Sequence, residues 1–377
     1  METTQLTTSA YWESEENDLR LNPRRKLSSD GLKIFIEVEC GIRASVVLAT
    51  SGSSGQAKFV VLSKKAMLAS AQAVVDHCML IPDDVWLAGL SGYHVGGLAI
   101  YARAFLTGSR VEELVPGKWD REGRRFVESC ERSQPTLTSM TPTHLYDLVT
   151  HGVRAPGSLR GVLLGGGRIE ASLVARAQEL GWPLWPSYGM TESASQIATD
   201  IQGQVSDLPI LPGWECRVAS DGRLAIRGEA LFSGYIAGRP GTWEFEEGVD
   251  AEGWFLTGDR GTVQEGRLSF LERADDLVKV SGVLVSLSRI HDRASALALE
   301  NGTQAAVVPI PDERRENDLV LVVERQSDLD VEAMRERLNS QLDGIERIVR
   351  VRQVEALPRM ETGKLDQSQL RVIAAGE

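Results

Sequence analysis

The chain has 377 residues, of which 42% are hydrophobic and 25% charged, a composition typical of a folded globular protein with room for two domains. Its net charge of -12 argues against a general nucleic-acid or membrane-surface binder, because both need a basic field. The sequence has no apolar run long enough for a membrane span, and its first twenty residues lack the apolar core of a signal peptide, so we expect a cytoplasmic location.

Residues 1–30 are mostly polar and predict no more than a short leading helix or loop, whereas the partly alternating residues 33–39 predict a strand. From there to about residue 180, short apolar runs alternate with stretches whose apolar residues recur at helical spacing. We predict strands at 44–48, 85–90, 110–114, 136–140 and 161–164, and helices at 63–80, 97–106, 121–132, beyond Pro142, and at 170–180. Strands separated by helices of this length imply right-handed crossovers, so we predict an α/β region with a mainly parallel sheet covered on both faces.

The pattern changes beyond about residue 205, where short Gly-rich strands predict a small antiparallel β subdomain at about 206–273. A charged segment without apolar periodicity, residues 272–282, then interrupts the chain. The helices and strands expected after it form a compact α+β unit, at 287–299, 304–310, 319–324, 331–342 and 348–354. We therefore predict an N-terminal domain over residues 1–274 and a smaller, mobile C-terminal α+β domain over residues 275–377.

The sequence from residue 49 to residue 58, ATSGSSGQAK, follows an apolar strand and is typical of a loop that holds phosphate. Its hydroxyl groups can donate hydrogen bonds, its glycines let backbone amides approach an anion, and its lysine adds a positive charge. The spacing of the glycines and the lysine disfavours the common P-loop of ATPases, and an ordinary solvated turn stays open as the alternative. The candidate phosphate-binding residues are Thr50, Ser51, Gly52, Ser53, Ser54, Gly55 and Lys58.

Four further stretches follow this loop in order: GGG at 165–167, SYGMTES at 187–193, GWFLTGD at 253–259, and ERADDLVKVSG at 272–282 followed by PRMETGK at 358–364. Together with the loop they resemble the adenylate-forming superfamily of acyl-CoA synthetases, luciferases and nonribosomal-peptide adenylation domains. The resemblance covers the chain from about residue 45 onward, and it is greatest to short o-succinylbenzoate-CoA ligases of menaquinone biosynthesis. Most members place far more sequence before the phosphate loop than the 49 residues here, so we expect much of one N-terminal subdomain to be missing.

The resemblance implies a ligase that joins a carboxylic acid to coenzyme A and that uses ATP and Mg²⁺. The acid first attacks the α-phosphorus of ATP, giving an acyl-adenylate and pyrophosphate, and fixed donors and cations stabilise the charge that builds on the phosphate oxygens. Tyr188 would offer a flat face to adenine, Thr191 a hydroxyl to the α-phosphate, and Glu192 an oxygen ligand to Mg²⁺. By resemblance, the nucleotide site also contains Gly165, Gly166, Gly167 and Gly189.

Other motif residues receive roles from the same resemblance. Asp259 would accept the ribose hydroxyls, with Arg273 as a second ribose or phosphate contact, and Asp275 would be the hinge of the C-terminal domain. Lys364 would bridge the carboxylate and the α-phosphate during adenylation. Gly282 would leave room for the pantetheine chain of coenzyme A, although the sequence after it, VLVSLSRIH, departs from the family pattern and leaves the details of that step open.

The choice of acid should depend on residues 91–103, SGYHVGGLAIYAR. His94 is either a catalytic and substrate-contacting residue or a core histidine, while Gly166 is expected beside the acyl group. Arg103 lies in an apolar stretch, where an arginine is costly without an anionic partner. It forms either a structural ion pair or a clamp for the second carboxylate of a dicarboxylic acid.

We therefore predict an ATP-dependent o-succinylbenzoate-CoA ligase. The alternatives left open are a ligase for another aryl or acyl acid, an enzyme that loads a carrier-protein thiol, and a nucleotide-binding protein without turnover. The expected partners are small molecules, namely the acid, ATP and coenzyme A, and a homodimer is left open. Retention of Glu192, Asp259 and Lys364 together argues against the non-enzymatic alternative.

Overall fold

The structure, a computed structural model, describes residues 3–22, 29–51, 57–114, 119–327, 329–360 and 365–376. Its α-helices are α1 (Ser9–Trp12), α2 (Leu32–Ile34), α3 (Lys64–His77), α4 (Val95–Thr107), α5 (Arg124–Ser133), α6 (Pro142–Thr150), α7 (Ala171–Glu179), α8 (Leu287–Glu300), α9 (Val331–Asn339) and α10 (Gln367–Ala375). Among the residues described, no helix is both long and apolar enough to cross a membrane.

The strands of the first half of the chain are β1 (Asp18–Arg20), β2 (Ser45–Ser51), β3 (Ala57–Ser63), β4 (Val85–Ala88), β5 (Arg110–Glu113), β6 (Leu137–Met140), β7 (Gly161–Leu164), β8 (Leu184–Met190) and β9 (Ser195–Thr199). Those of the second half are β10 (Leu208–Pro209), β11 (Trp214–Val218), β12 (Arg223–Gly228), β13 (Gly234–Ala237), β14 (Glu244–Glu247), β15 (Phe255–Gln264), β16 (Arg267–Arg273), β17 (Leu277–Val280), β18 (Val283–Ser286), β19 (Ala305–Asp312), β20 (Glu316–Glu324) and β21 (Ile348–Val354).

A mainly parallel sheet forms the centre of the large region. Its strand order is β5-β4-β6-β7-β8-β9, and every neighbouring pair is parallel except β8 and β9. Successive residues of β7 pack into different hydrophobic clusters, Leu163 into one and Val162 and Leu164 into the other. Since side chains alternate along a strand, both faces of this sheet are buried, and the predicted α/β class is confirmed.

Two further sheets of the large region are mostly antiparallel. One has the order β10-β16-β15-β12-β11 with antiparallel pairing throughout, as predicted for the Gly-rich strands. The other has the order β1-β2-β3-β13-β14, with only β1 and β2 parallel. The prediction had missed β3, and because β3 pairs antiparallel with β2, the phosphate loop joins the two strands of a hairpin. Helix α3 therefore begins only at Lys64, where the Ser63 hydroxyl accepts a hydrogen bond from Ala66 N at 2.9 Å.

The C-terminal part consists of the sheet β19-β20-β21 with α8, α9 and α10, together with the hairpin of β17 and β18. Asp275 lies in a single 3₁₀ turn, Ala274–Asp276, between β16 and β17. The domain boundary and the hinge at this turn stay predictions.

The strand predicted at 33–39 is wrong, because these residues form α2 and a π-helix, Phe35–Glu39. Leu32, Phe35 and Ile36 are buried at helical spacing, whereas Ile34 and Val38 are 65% and 73% exposed. The alternating apolar residues of this stretch thus lie on both faces of a helix, some buried and some exposed, and do not mark a strand.

The leading segment is more ordered than the short helix or loop expected from its polarity. Leu6, Tyr11 and Trp12 are buried in the main hydrophobic cluster, and β1 pairs with β2. Lys64 Nζ fixes this segment by donating hydrogen bonds to Ser14 O and Ser14 Oγ.

Candidate active site

A cavity of about 690 Å³ opens at the carboxyl ends of the parallel strands. Residues that directly follow β4, β6 and β7 line it, together with the last residues of β8. Ligands bind at this edge in open α/β sheets, because the loops that leave the strands converge there. From the predicted site, the cavity lining includes His94, Arg103, Gly165, Gly166, Gly189 and Thr191.

Glycine is required at two positions of this lining. A Cβ atom on Gly189 would lie 1.8 Å from the carbonyl oxygen of Ser195, so the backbones of β8 and β9 approach more closely than any side chain allows. Gly166 has a φ of +76°, in the left-handed region that other residues rarely adopt. Backbone geometry at the edge of the cavity therefore explains why the motifs GGG and SYGMTES contain these glycines.

The turn that joins β8 to β9 presents the predicted phosphate and metal residues. It is a 3₁₀ helix, Thr191–Ser193, closed by a hydrogen bond that Met190 N donates to Ser193 Oγ at 3.0 Å. Tyr235 Oη donates a hydrogen bond of 2.7 Å to Glu192 Oε1. The turn thus fixes the backbone of Glu192, and Tyr235 of β13 holds its carboxylate.

A Mg²⁺ ion bound together with ATP fits this arrangement. No cluster of three or more metal-binding side chains is found among the residues that the structure describes. A single carboxylate, Glu192, is what Mg²⁺ takes from a protein when phosphates and water supply its other ligands.

The predicted ribose site is a connected network. Tyr188 Oη donates a hydrogen bond of 2.8 Å to Asp259 Oδ2, and Arg273 Nη1 lies 3.4 Å from Asp259 Oδ1. Arg273 Nε also pairs with Asp275 Oδ1 at 2.9 Å, so the proposed hinge residue contacts the network. Burial raises the pKa of the Asp259 carboxyl above its usual value, and burial raises the pKa of Tyr188 even more. The Tyr188 ring, 8% exposed, stacks on Phe270 with centroids 5.9 Å apart.

Arg103 is a buried cation in the wall of the cavity, only 1% exposed. Its Nη2 donates a hydrogen bond to Ser195 Oγ at 2.9 Å, and its guanidinium lies 5.8 Å from the centre of the Trp86 ring. No carboxylate of the described chain pairs with it, and its buried Nε has no hydrogen-bond partner there. Burial lowers the pKa of Arg103 to about 10. The structural ion pair left open by the sequence is therefore absent from the residues described.

The C-terminal part closes one side of the cavity through residues 356, 357, 359 and 360. Arg359 donates hydrogen bonds to Thr143 Oγ1 at 2.8 Å and to Gln304 Oε1. A second contact between the two parts is the ion pair of Arg168 with Asp292. Arg359 and Met360 belong to the motif PRMETGK, so the described part of this motif lies at the cavity.

Several predicted residues are not part of the described site. Thr50 and Ser51 end β2, and Lys58 is the second residue of the return strand β3. Gly282 lies in the turn between β17 and β18, and neither it nor Gly167 lines the cavity. The predictions on Gly52, Ser53, Ser54, Gly55 and Lys364 fall outside the described residues.

Three residues that contribute to the site are not among those predicted from the sequence. Ser195 lies just beyond the SYGMTES motif, which offered a signal that could have been followed. Ser139 lines the cavity with a buried hydroxyl that has no partner among the residues described, and Tyr235 contacts Glu192. These two stand in ordinary strands, and the sequence around them carries no signal.

Comparisons with known proteins agree with the predicted resemblance. A curated 2-succinylbenzoate–CoA ligase of Salmonella typhimurium (strain LT2) is 35% identical over 74% of this chain and 57% of its own length. The 2-succinylbenzoate–CoA ligase of Listeria monocytogenes serotype 4b (strain F2365) is 29% identical over 87% of this chain and 70% of its own length. A solved structure of an E. coli MenE variant with bound OSB-AMS superposes with a TM-score of 0.71 at 26% identity, covering 86% of this chain and 67% of that one.

The chain thus spans 57% to 70% of the length of these two relatives. The model of the AMP-binding enzyme family matches residues 43–236, which include the phosphate loop and the cavity lining from β4 to β9. This chain belongs to the AMP-binding enzyme family.

Proposed function

We propose that this chain is an ATP- and Mg²⁺-dependent ligase that joins 2-succinylbenzoate, or o-succinylbenzoate, to coenzyme A through an acyl-adenylate. The observation that carries the proposal is Arg103, a buried cation in the cavity wall without an acidic partner in the described chain. A protein tolerates such a cation where a ligand supplies the anion. 2-Succinylbenzoate has two carboxylates, of which one is activated and the other is free to bind.

The second carboxylate is proposed to bind between Arg103, Ser139 and Ser195. The planar guanidinium of Arg103 suits a carboxylate, and its Nε has no competing acceptor in the described residues. The Ser139 hydroxyl is buried in the same lining and lacks a partner within the described ranges, so it can donate to the same anion. Ser195 accepts from Arg103 Nη2 at 2.9 Å and thereby orients the guanidinium. A monocarboxylic acid would leave these groups unpaired, which costs affinity.

In the first half-reaction, an oxygen of the reacting carboxylate attacks the α-phosphorus of ATP, and the bond to pyrophosphate breaks. Mg²⁺, when bound, supplies positive charge to the phosphate oxygens. We propose that Thr191, which lines the cavity, donates a hydrogen bond to the α-phosphate and that Glu192, the next residue of the turn, would hold the metal. His94 lines the cavity and is proposed to contact the acyl group. The Tyr188–Asp259–Arg273 network is proposed to hold the nucleoside.

In the second half-reaction, the thiol of coenzyme A attacks the carbonyl carbon, AMP leaves, and the thiol proton passes to solvent. We propose that Lys364 serves only the first step and then leaves as the C-terminal domain, residues 275–377, rotates about Asp275. The turn with Gly282 would then face the pantetheine chain. We place the enzyme in the cytoplasm and take a homodimer as the assembly to be tested by light scattering.

Pyrophosphate release measured with ATP, Mg²⁺ and coenzyme A over a panel of acids tests the proposal. The panel contains 2-succinylbenzoate, benzoate, succinate and a medium-chain fatty acid, and thioester formation is followed by mass. We expect 2-succinylbenzoate to give the highest kcat/KM by at least about 10² over benzoate, because benzoate lacks the second carboxylate. A preference for a monocarboxylic acid would refute 2-succinylbenzoate as the substrate. Transfer to a carrier protein but not to coenzyme A would refute coenzyme A as the acceptor. If no acid gives pyrophosphate, the proposed enzymatic activity is refuted.

A further inference from the structure

Tyr235 is a residue of β13 that belongs to none of the sequence motifs, yet it touches two of them. Its hydroxyl donates a hydrogen bond of 2.7 Å to Glu192 Oε1. The Nζ of Lys58, from the phosphate-loop motif, lies 5.0 Å above the centre of its ring. Strand β13 pairs with β3, which starts at the phosphate loop, with Tyr235 opposite Val60. One side chain therefore joins the candidate metal ligand to the candidate phosphate lysine.

The surroundings of Tyr235 hold it rigidly. Its ring packs edge-on against Phe232, with centroids 4.7 Å apart. Phe232 N also donates a hydrogen bond of 2.9 Å to the carbonyl oxygen of Glu192, so the segment that leads into β13 binds the backbone of the metal-ligand turn. Both the backbone and the carboxylate of Glu192 are thus attached to the same six-residue stretch, 230–235.

We propose that Tyr235 is a positioning residue that orients the Glu192 carboxylate toward Mg²⁺ and supports Lys58 beside the nucleotide phosphates. This inference rests on the proposed function, since it needs ATP and Mg²⁺ at this site. The hydroxyl engages one carboxylate oxygen and restricts the rotamer of Glu192, so the second oxygen is presented in one direction. Residues that orient a metal ligand in this way typically contribute about 10- to 100-fold in metal affinity or activity. The ring adds a cation–π contact to Lys58 that does not depend on the hydroxyl.

Two substitutions separate these contributions. Tyr235→Phe keeps the ring under Lys58 and removes only the hydrogen bond to Glu192, whereas Tyr235→Leu removes both. Tyr11→Phe is the matched control, because Tyr11 Oη donates a hydrogen bond of the same length, 2.7 Å, to the carboxylate of Asp18, which is not part of the cavity lining. The measurement is calorimetric titration of ATP into the protein without any acid substrate, once with Mg²⁺ and once with EDTA.

We expect Tyr235→Phe to weaken ATP binding about 10-fold in Mg²⁺ and to leave binding in EDTA within about twofold of wild type. Tyr235→Leu should weaken binding in both conditions, because Lys58 loses its support as well. Tyr11→Phe should change neither. The effect of Tyr235→Phe should also disappear when Glu192 is already replaced by Gln, since the two residues are expected to act as a pair.

Equal losses in Mg²⁺ and EDTA for Tyr235→Phe, or no loss in Mg²⁺, would overturn the inference. So would a Tyr235→Phe protein that no longer folds, because a hydroxyl that only positions a carboxylate is not needed for folding. The proposed function fails separately, since it is judged on the acid preference and pyrophosphate release of the wild-type protein.

Discussion

Replacement of Arg103 by Met should cost substrate affinity but no stability. Burial lowers the pKa of Arg103 from its usual 12.5 to about 10, which corresponds to about 3 kcal/mol of unfavourable free energy for keeping the charge. No carboxylate in the described chain offsets this unfavourable free energy. An apolar side chain of similar length should therefore leave the free energy of unfolding unchanged or raise it by up to about 3 kcal/mol.

The same replacement should reduce kcat/KM for 2-succinylbenzoate by about 10²- to 10⁴-fold, because removing one partner of a buried charge pair costs about 3–5 kcal/mol. Activity with benzoate should change by less than about threefold. The assays are urea unfolding of the free protein and pyrophosphate release with each acid. Since Met cannot donate hydrogen bonds, Ser195 Oγ loses the hydrogen bond from Arg103 in this variant. A small part of the decrease in kcat/KM is due to that lost contact.

Arg160→Met is the control for stability. Arg160 Nη2 pairs at 2.6 Å with the Asp84 carboxylate, which is 2% exposed, so the variant leaves a buried acid without its partner. We expect it to lose about 3–5 kcal/mol of unfolding free energy while its preference between acids stays that of wild type. The reasoning is refuted if Arg103→Met is destabilised as much as Arg160→Met, or if it retains the preference for the dicarboxylic acid.

Three further predictions concern other parts of the chain. Lys364→Ala should slow adenylation by about 10²- to 10³-fold and spare thioester formation from synthetic acyl-adenylate, measured by rapid quench; equal loss in both steps would contradict a role limited to adenylation. Gly189→Ala should destabilise the protein by about 2–4 kcal/mol in urea, because its Cβ would meet Ser195 O at 1.8 Å. Burial raises the pKa of Glu170 to about 7, so the folded protein holds its proton longer than the unfolded chain, and stability falls as the pH rises from about 4.5 to about 7. Glu170→Gln should therefore have a higher free energy of unfolding in urea than wild type at pH 8, by up to about 3 kcal/mol, and nearly the same value at pH 4.5; an equal difference at both pH values would contradict this assignment.

The sequence predicted the fold best where local pattern and tertiary burial agree. The strand expected at 161–164 coincides with β7, and the helix expected at 287–299 coincides with α8 to within a residue. The pattern failed at residues 33–39, where a partial alternation was compatible with both a strand and a helix. The predicted elements also lack β3, because a Ser/Gly-rich motif of this kind is compatible with a loop that leads directly into a helix. The apolar run 59–62 was a sufficient signal for a strand.

For the site, the sequence predicted residues that belong to motifs and missed those that meet them through tertiary contacts. Arg103 was found because an arginine among apolar residues requires an explanation. Ser139 and Tyr235 look like ordinary strand residues, and only the packing of β6 and β13 brings them to the site. The periodicity of apolar residues along the sequence does not indicate which strands, far apart in the chain, become neighbours in the fold.

The turn between β8 and β9 has a consequence for how such an enzyme can diverge. Thr191 and Glu192, which we propose contact the nucleotide and metal, and Ser195, which accepts a hydrogen bond from Arg103 in the proposed acid pocket, occur within five residues, and Gly189 allows its backbone to approach that of Ser195. With these proposed roles, a mutation at Ser195 that reshapes the acid pocket also disturbs the residues proposed to contact the phosphates. New acid specificities should accumulate first at Ser139 on β6, whose hydroxyl has no hydrogen-bond partner among the described residues, so that it can change without disturbing the turn. Adaptation at the turn itself would require paired substitutions.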